Sequence, residues 1–204
     1  MTKTRLEAFS DGVFAIVITL LILDVHIPQD QPLTLASLWS VAPHLLAFVL
    51  SFVIVGLYWV AHHSMMHFVK VVDRQVLWLN LALLLMIVFV PFPTALLGQH
   101  PDNLLAVTLY GSNLMLVNAA GTILWLYATG RPHPATHGAP PALRILIARL
   151  HSAPILVYAL AIALSYWYVP AGLVLFAAVP VFYILPNPFI DSRLRAAAAA
   201  AGGE

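Results

Sequence analysis

The chain consists almost entirely of long apolar segments separated by short polar or proline-rich breaks. A helix of roughly 20 apolar residues crosses the hydrocarbon core of a bilayer. Six segments have this character, and the last is shorter than the others: Leu6–His26, Leu38–Ala61, Val76–Gly98, Leu104–Ala128, Ile145–Trp167 and Pro170–Leu185. Because a backbone in lipid must satisfy its own hydrogen bonds, this pattern predicts an all-α membrane protein with six transmembrane helices.

The composition favours the same class of protein and excludes several others. Hydrophobic residues make up 62% of the chain and charged residues only 8%, whereas soluble domains carry about 25% charged residues. The expected surroundings are therefore a lipid bilayer. A net charge of +1 gives no reason to expect a nucleic-acid partner, and the lack of cysteine excludes disulfides and thiol-bound metals. No cofactor is expected, and no cleavable signal peptide is evident at the N-terminus.

The basic residues predict the orientation in the membrane. All nine Lys and Arg residues fall before the first span, within or beside alternate loops, or after the last span: Lys3, Arg5, Lys70, Arg74, Arg131, Arg144, Arg149, Arg193 and Arg195. Such residues stay on the cytoplasmic side. We therefore expect both termini in the cytoplasm of a multi-pass inner (plasma) membrane protein. Residues 1–187 would form the transmembrane domain and residues 188–204 a short cytoplasmic tail.

The first apolar segment carries two parallel stripes of side chains. Large apolar residues recur at helical spacing in one stripe, which comprises Phe9, Val13, Ile16, Leu20 and Leu23. The neighbouring stripe consists of small residues, Ala8, Gly12, Ala15 and Thr19. Such a small stripe suits close helix packing in lipid. Copies of the bulky stripe around a symmetry axis would form hydrophobic rings able to gate by dewetting. Periodicity alone favours the alternative, in which this stripe faces lipid or an ordinary core.

Ser10 and Asp11 stand just before the most apolar part of this segment. A carboxylate in lipid is costly and usually faces the protein interior beside another polar group. We expect the partner of Asp11 to be Asn80, Trp78, His62 or Arg5. The alternative is a simple N-terminal cap, since a helix N-terminus favours an anion.

Other polar and aromatic residues leave their roles open. His63 and His67 share a helical face with metal-ligand spacing, and His62 is their neighbour, but two ligands are weak evidence for a metal. Sensitivity to pH is the better expectation for these histidines. Asp24 either attracts cations at a pore mouth or merely ends a helix in water. The five tryptophans are expected to be interfacial anchors, and two prolines, Pro91 and Pro93, to kink or end the third span.

The order of short motifs in the first three spans resembles the transmembrane protein 175 family of potassium channels. The family's mark is an Arg followed by Phe-Ser-Asp on the first helix, here Arg5 and Phe9 to Asp11. The resemblance continues in "YWVAHHSMMHF", "WLNLALLL" and "PFPTALLG". It covers the last three spans only in their hydropathy.

The resemblance implies a homotetramer whose central pore is lined by the first helix and conducts potassium ions. It puts a hydrophobic constriction at Ile16, with Thr19, Leu20 and Leu23 further along the pore and Asp24 at its mouth. It also implies a structural clamp on the pore helix, formed by Arg5, Phe9, Ser10, Asp11, His62, Trp78 and Asn80. Replacing Asp11 by Ala should then harm folding or assembly more than ion selectivity. The potassium-filter signature T-V-G-Y-G is absent from the sequence, so selectivity must arise differently.

Two other function classes compete with a channel. A secondary transporter or a proton-conducting membrane protein would have the same hydropathy, but paired broken helices with substrate groups at the membrane midplane are not evident. A membrane enzyme would need a catalytic constellation, and the chain contains neither H-E-x-x-H nor G-x-S-x-G. The sequence therefore predicts a protein that is not an enzyme.

Overall fold

The computed structural model describes residues 2–27, 32–69, 71–130 and 140–186. Within these ranges every regular element is a helix. The helices are α1 (Lys3–Leu20), continued by a 3-10 segment (Leu21–Asp24), α2 (Leu35–Ser40), α3 (Ala42–Met66), α4 (Arg74–Phe89), α5 (Pro91–Gln99), α6 (Leu104–Gly130), α7 (Pro141–Ser165) and α8 (Val169–Ile184). The predicted tail, 188–204, lies outside the described residues, as do Lys70, Arg131, Arg193 and Arg195.

Most of the predicted spans correspond to helices long enough to cross a bilayer. In the described part of the chain, five helical stretches meet that criterion by length and composition: Lys3–Asp24, Ala42–Met66, Arg74–Gln99, Leu104–Gly130 and Pro141–Ser165. The sixth predicted span corresponds to α8, which is apolar but shorter. The chain is thus an α-helical protein with several membrane-spanning helices.

The structure adds detail to three of the predicted spans. The second span does not begin at Leu38, because Thr34 and Ser37 form a capping box that starts the separate short helix α2. The first span leaves α-helical geometry after Leu20 and tightens into the 3-10 segment. The third span breaks between Phe89 and Pro91, so the predicted effect of its prolines is confirmed.

The helices enclose two hydrophobic cores. The first runs along the packed side of α1, from Leu6 to Leu21, and includes Met66 and Trp125. The second is built around Tyr110, Tyr158 and Phe176, on α6, α7 and α8. α6 packs closely on α4 and α7, and α7 packs on α8, whereas α1 rests on α3 and α4. The first helix is therefore attached to the bundle along one side only.

The face of α1 that packs on the bundle is neither of the two predicted stripes. It is formed by Leu6, Ser10, Phe14, Val17 and, in the 3-10 segment, Leu21, all of which are buried. The small-residue stripe lies on the exposed side instead, and a Cβ added at Gly12 would meet nothing within 4 Å. Within the subunit this stripe is not covered by a neighbouring helix, and close packing of the stripe on another copy of the chain stays a prediction. The small stripe and most of the bulky stripe belong to the open side of α1, whereas Val13 packs partly against the bundle.

Candidate pore helix and its buried anchor

A chain of three buried polar side chains joins α1 to α3 and α4. The Ser10 hydroxyl donates to the Leu6 carbonyl at 2.9 Å, one helical turn back. Asn80 on α4 donates its amide to Ser10 Oγ at 3.0 Å, and its carbonyl oxygen lies 2.8 Å from His62 Nε2 on α3. Ser10 and Asn80 are fully buried and His62 is 3% exposed. A network with every member paired inside an apolar bundle fixes the relative position of its three helices.

Asp11 has a different partner from the four that the sequence suggested. The indole Nε1 of Trp59 on α3 donates to Asp11 Oδ1 at 2.9 Å. Asp11 is only half-buried, and Trp59 is 39% exposed. The contact therefore lies at the edge of the bundle, beside the buried chain, and joins α1 to α3 a second time. Trp59 precedes His62 by three residues, so the two side chains lie on the same side of α3. This spacing was the sequence signal that Trp59 contacts α1 as His62 does.

The remaining residues of the predicted clamp lie on the outside of the chain. Arg5 is exposed, Phe9 is 49% exposed and Trp78 is 62% exposed. In the part of the chain that the structure describes, neither the Arg5 nor the Trp78 side chain makes a hydrogen bond. Within one subunit, the structure therefore brings together Ser10, Asn80 and His62. The exposed residues Arg5, Phe9 and Trp78 lie apart from that buried chain.

The predicted pore-lining residues share the open side of α1 and its 3-10 continuation. Ile16 is 60% exposed, Leu20 42% and Leu23 69%. Thr19 is exposed as well, and its hydroxyl donates to the Ile16 carbonyl at 2.8 Å. Val17, the adjacent position, is 1% exposed and belongs to the first core. The described helices thus leave a continuous apolar side of α1 uncovered.

Other predicted positions have ordinary environments. Asp24 is half-buried in the last turn of the 3-10 segment. His63 and His67 are exposed with their ring centroids 5.1 Å apart, and among the described residues no group of three ligating side chains forms. Trp125 is fully buried and donates to the Arg144 carbonyl at 2.9 Å. Its predicted role as an interfacial anchor was therefore wrong.

A second buried polar group was not predicted. Ser51 Oγ lies 2.8 Å from Thr94 Oγ1 and 3.0 Å from the Tyr110 hydroxyl, which links α3, α5 and α6. Close by, Asn113 donates to the Met86 carbonyl at 3.0 Å. The sequence signal was the presence of polar residues inside spans, where each needs a partner.

These features together define the class: a multi-pass α-helical membrane protein with an anchored, half-uncovered first helix. The chain belongs to the TMEM175 family. The model of that family, described as endosomal/lysosomal potassium channel TMEM175, matches residues 5–91. This region contains nearly all of α1 and the whole of α2, α3 and α4, and therefore the whole buried chain of polar residues.

Similarity to individual relatives extends over nearly the full length. A potassium channel from Chryseobacterium sp. (strain P1-3) is 33% identical over 96% of this chain and 99% of its own. The crystal structure of a lysosomal potassium-selective channel TMEM175 homolog from Chamaesiphon minutus superposes with a TM-score of 0.79 at 31% identity. The superposition covers 89% of this chain and 95% of that one. The human endosomal/lysosomal proton channel TMEM175 is 42% identical over 39% of this chain and 18% of its own.

Proposed function

We propose that this protein is a potassium-permeable channel, a homotetramer whose central pore is lined by the open side of α1. The observation that carries the proposal is the uncovered stripe of Ile16, Leu20 and Leu23 opposite a fully packed face. The Chryseobacterium relative is a potassium channel and the Chamaesiphon homolog a potassium-selective channel, which supports potassium as the permeant ion. The permeation path needs no cofactor.

The proposed topology has six spans with both termini in the cytoplasm. Its support is the distribution of the nine basic residues, none of which falls in the three loops on the opposite side. The shorter α8 completes an even number of spans. In a bacterial cell this places the protein in the inner membrane.

The proposed constriction is a ring of four Ile16 side chains, one from each subunit. Such a ring strips water from the permeation path unless it widens, and it can therefore both close the pore and discriminate between ions. Thr19, Leu20 and Leu23 would continue the lining toward Asp24, whose carboxylate would attract cations at the mouth. No carbonyl filter of the T-V-G-Y-G type is required.

The buried chain acts as the anchor of the pore helix in this proposal. Asn80 holds Ser10 and is itself held by His62, so α1 cannot rotate without breaking these buried hydrogen bonds. Asp11 and Trp59 add a contact at the edge. The exposed side chains of Arg5, Phe9 and Trp78 would complete the clamp by meeting the neighbouring subunit.

The test is a comparison of Ile16→Asn with Ile123→Asn. Ile123 lies on α6 and is 54% exposed, close to the 60% of Ile16, so the two changes match in chemistry and exposure. Val17 is unsuitable as a control because Asn there would be buried in the core. Purified variants are reconstituted in liposomes, and potassium and sodium fluxes are measured at matched protein content. Ile16→Asn should raise total flux and reduce the potassium-to-sodium ratio, whereas Ile123→Asn should resemble the parent.

Equal flux and equal ion preference for Ile16→Asn and the parent would contradict the assignment of Ile16 to the pore.

The vertebrate relatives' name, proton channel, supports a second candidate function, proton conduction through the same pore. A pH-sensitive dye inside the same liposomes separates the two. A proton flux that persists without potassium flux would replace the potassium proposal.

A further inference from the structure

A partly open cavity is lined by members of both hydrophobic cores, among them Phe14 of the first and Tyr158 of the second. Its volume is about 90 Å³, and it is lined by residues of α1, α3, α4, α6, α7 and α8. The backbones of α3 and α7 do not approach one another closely at this level, which leaves the space open. Most of the wall is apolar, but His62 and His151 both line it, together with Asn118 and Tyr158. The cavity therefore brings two imidazoles to one space inside the bundle.

The hydrogen bonds of the buried chain fix where the proton of a neutral His62 resides. Ser10 directs its hydroxyl proton to the Leu6 carbonyl, so Ser10 Oγ accepts from the Asn80 amide. The Asn80 carbonyl oxygen, an acceptor only, then faces His62 Nε2. His62 must donate through Nε2–H, which leaves Nδ1 as an unprotonated acceptor. A second proton can bind at Nδ1 while every bond of the anchor is kept.

His151 is the second imidazole at this cavity. Its side chain extends from α7 toward α6, and the position of a Cβ added at Gly121 would lie 3.8 Å from His151 Nδ1. The ring thus lies in van der Waals range of α6 at Gly121. Among the residues that the structure describes, His151 makes no hydrogen bond with another residue. A polar ring without a protein partner in a cavity of this size is a site for ordered water.

The charged and titratable groups around the pair lie mainly on the His62 side. The Asp11 and Glu7 carboxylates of α1 interact electrostatically with His62, as does the neighbouring His63. On the cavity side, α6 contributes Asn118 and Gly121. The phenols of α3, α7 and α8 also line the cavity: Tyr58, Tyr158 and Tyr183.

We propose that water in this cavity links His62 Nδ1 to His151, and that the two imidazoles form a proton-binding site directly behind α1 in each subunit. The site is separate from the central pore and does not depend on which ion the pore conducts. Because Nε2–H continues to donate to Asn80, binding of the proton leaves the anchor of α1 intact. The two rings share the cavity, so the charge on one influences protonation of the other.

The test is a titration by ¹⁵N NMR of histidine-labelled protein in liposomes, which reports protonation and tautomer without any measurement of transport. His62→Gln and His151→Phe identify the two signals by their loss. The neutral His62 should carry its proton on Nε2. His151→Phe preserves the ring volume and should move the titration midpoint of His62 by at least about half a pH unit, whereas the exposed control His63→Gln should move it less.

Three results would overturn the proposal. One is a neutral His62 with its proton on Nδ1, which would reverse the direction of the hydrogen-bonded chain. Another is a His62 signal that does not titrate between about pH 4 and 9. The third is an unchanged midpoint in His151→Phe. If His62→Gln fails to fold, the parent, His151→Phe and His63→Gln spectra still decide the question.

Discussion

At the scale of single residues, the adjacent Ser10 and Asp11 differ in burial and in the kind of partner that each one has. Ser10 is fully buried and forms part of a satisfied hydrogen-bond chain, whereas Asp11 stays half-buried and pairs with an indole at the edge. A hydroxyl can be buried at modest cost once it is paired, but a carboxylate cannot. Their order along the helix, one facing inward and the next facing sideways, matches this difference.

Replacing Asn80 by Ala should destabilise the fold strongly. The change removes the partner of the Ser10 oxygen and strands the buried His62 donor, so the expected cost is roughly 2–4 kcal/mol. Thermal unfolding in detergent measures the effect. Leu85→Ala, on the same helix at a position that is 62% exposed, is the control and should change the midpoint little. Similar unfolding midpoints for the two variants would show that the chain contributes nothing to stability.

At the scale of helices, two proline interruptions, at Pro91 and Pro154, are compensated by side chains from neighbouring helices. The Asn113 amide reaches the Met86 carbonyl at the break before Pro91, where Val90 N–H has turned to Ile87 instead. Pro154 lies inside α7 and cannot donate to the Leu150 carbonyl four residues earlier. The Tyr183 hydroxyl of α8 donates to that carbonyl at 2.5 Å. At each of these two prolines, a carbonyl without its helical N–H donor thus depends on a particular partner helix.

This compensation predicts that Tyr183 and Pro154 are energetically coupled. Tyr183→Phe removes the hydroxyl and leaves the Leu150 carbonyl without its donor, at an expected cost of about 1–2 kcal/mol. Pro154→Ala restores a backbone N–H that can donate to the same carbonyl. Tyr183→Phe should therefore cost clearly less in the Pro154→Ala background. A thermal-unfolding double-mutant cycle measures the difference, and strictly additive effects would contradict the coupling.

At the scale of the whole molecule, the most informative feature is the side of α1 that the subunit leaves uncovered. The small stripe beside the bulky one would let a second copy of the chain approach closely. In the proposed tetramer these surfaces meet around a water-filled axis. In an isolated subunit they would face lipid.

Cysteine accessibility distinguishes these environments, because the chain contains no native cysteine. Leu20→Cys (Leu20 is 42% exposed) and Leu160→Cys on α7 (Leu160 is 52% exposed) are compared with a charged, membrane-impermeant thiol reagent. Leu20→Cys should react because it faces the water-filled pore, and Leu160→Cys should be protected by lipid.

The parent should have four times the 22.2 kDa subunit mass in native mass spectrometry. A monomer or dimer as the only species, or equal protection of both cysteines, would contradict the tetrameric pore.

The sequence by itself determined the class of protein and the approximate spans, since hydrophobic length is a local property that the bilayer imposes on each segment. It also identified Ser10, His62 and Asn80 through short motifs. Only the tertiary structure decided that Asp11 pairs with Trp59 and that the small stripe of α1 lies on the open side. It also decided which helices compensate Pro91 and Pro154. These features depend on how helices that are distant in sequence are positioned in depth and rotated about their axes when they pack. An apolar helix does not specify its own rotation, because all its faces are nearly equivalent in hydrophobicity.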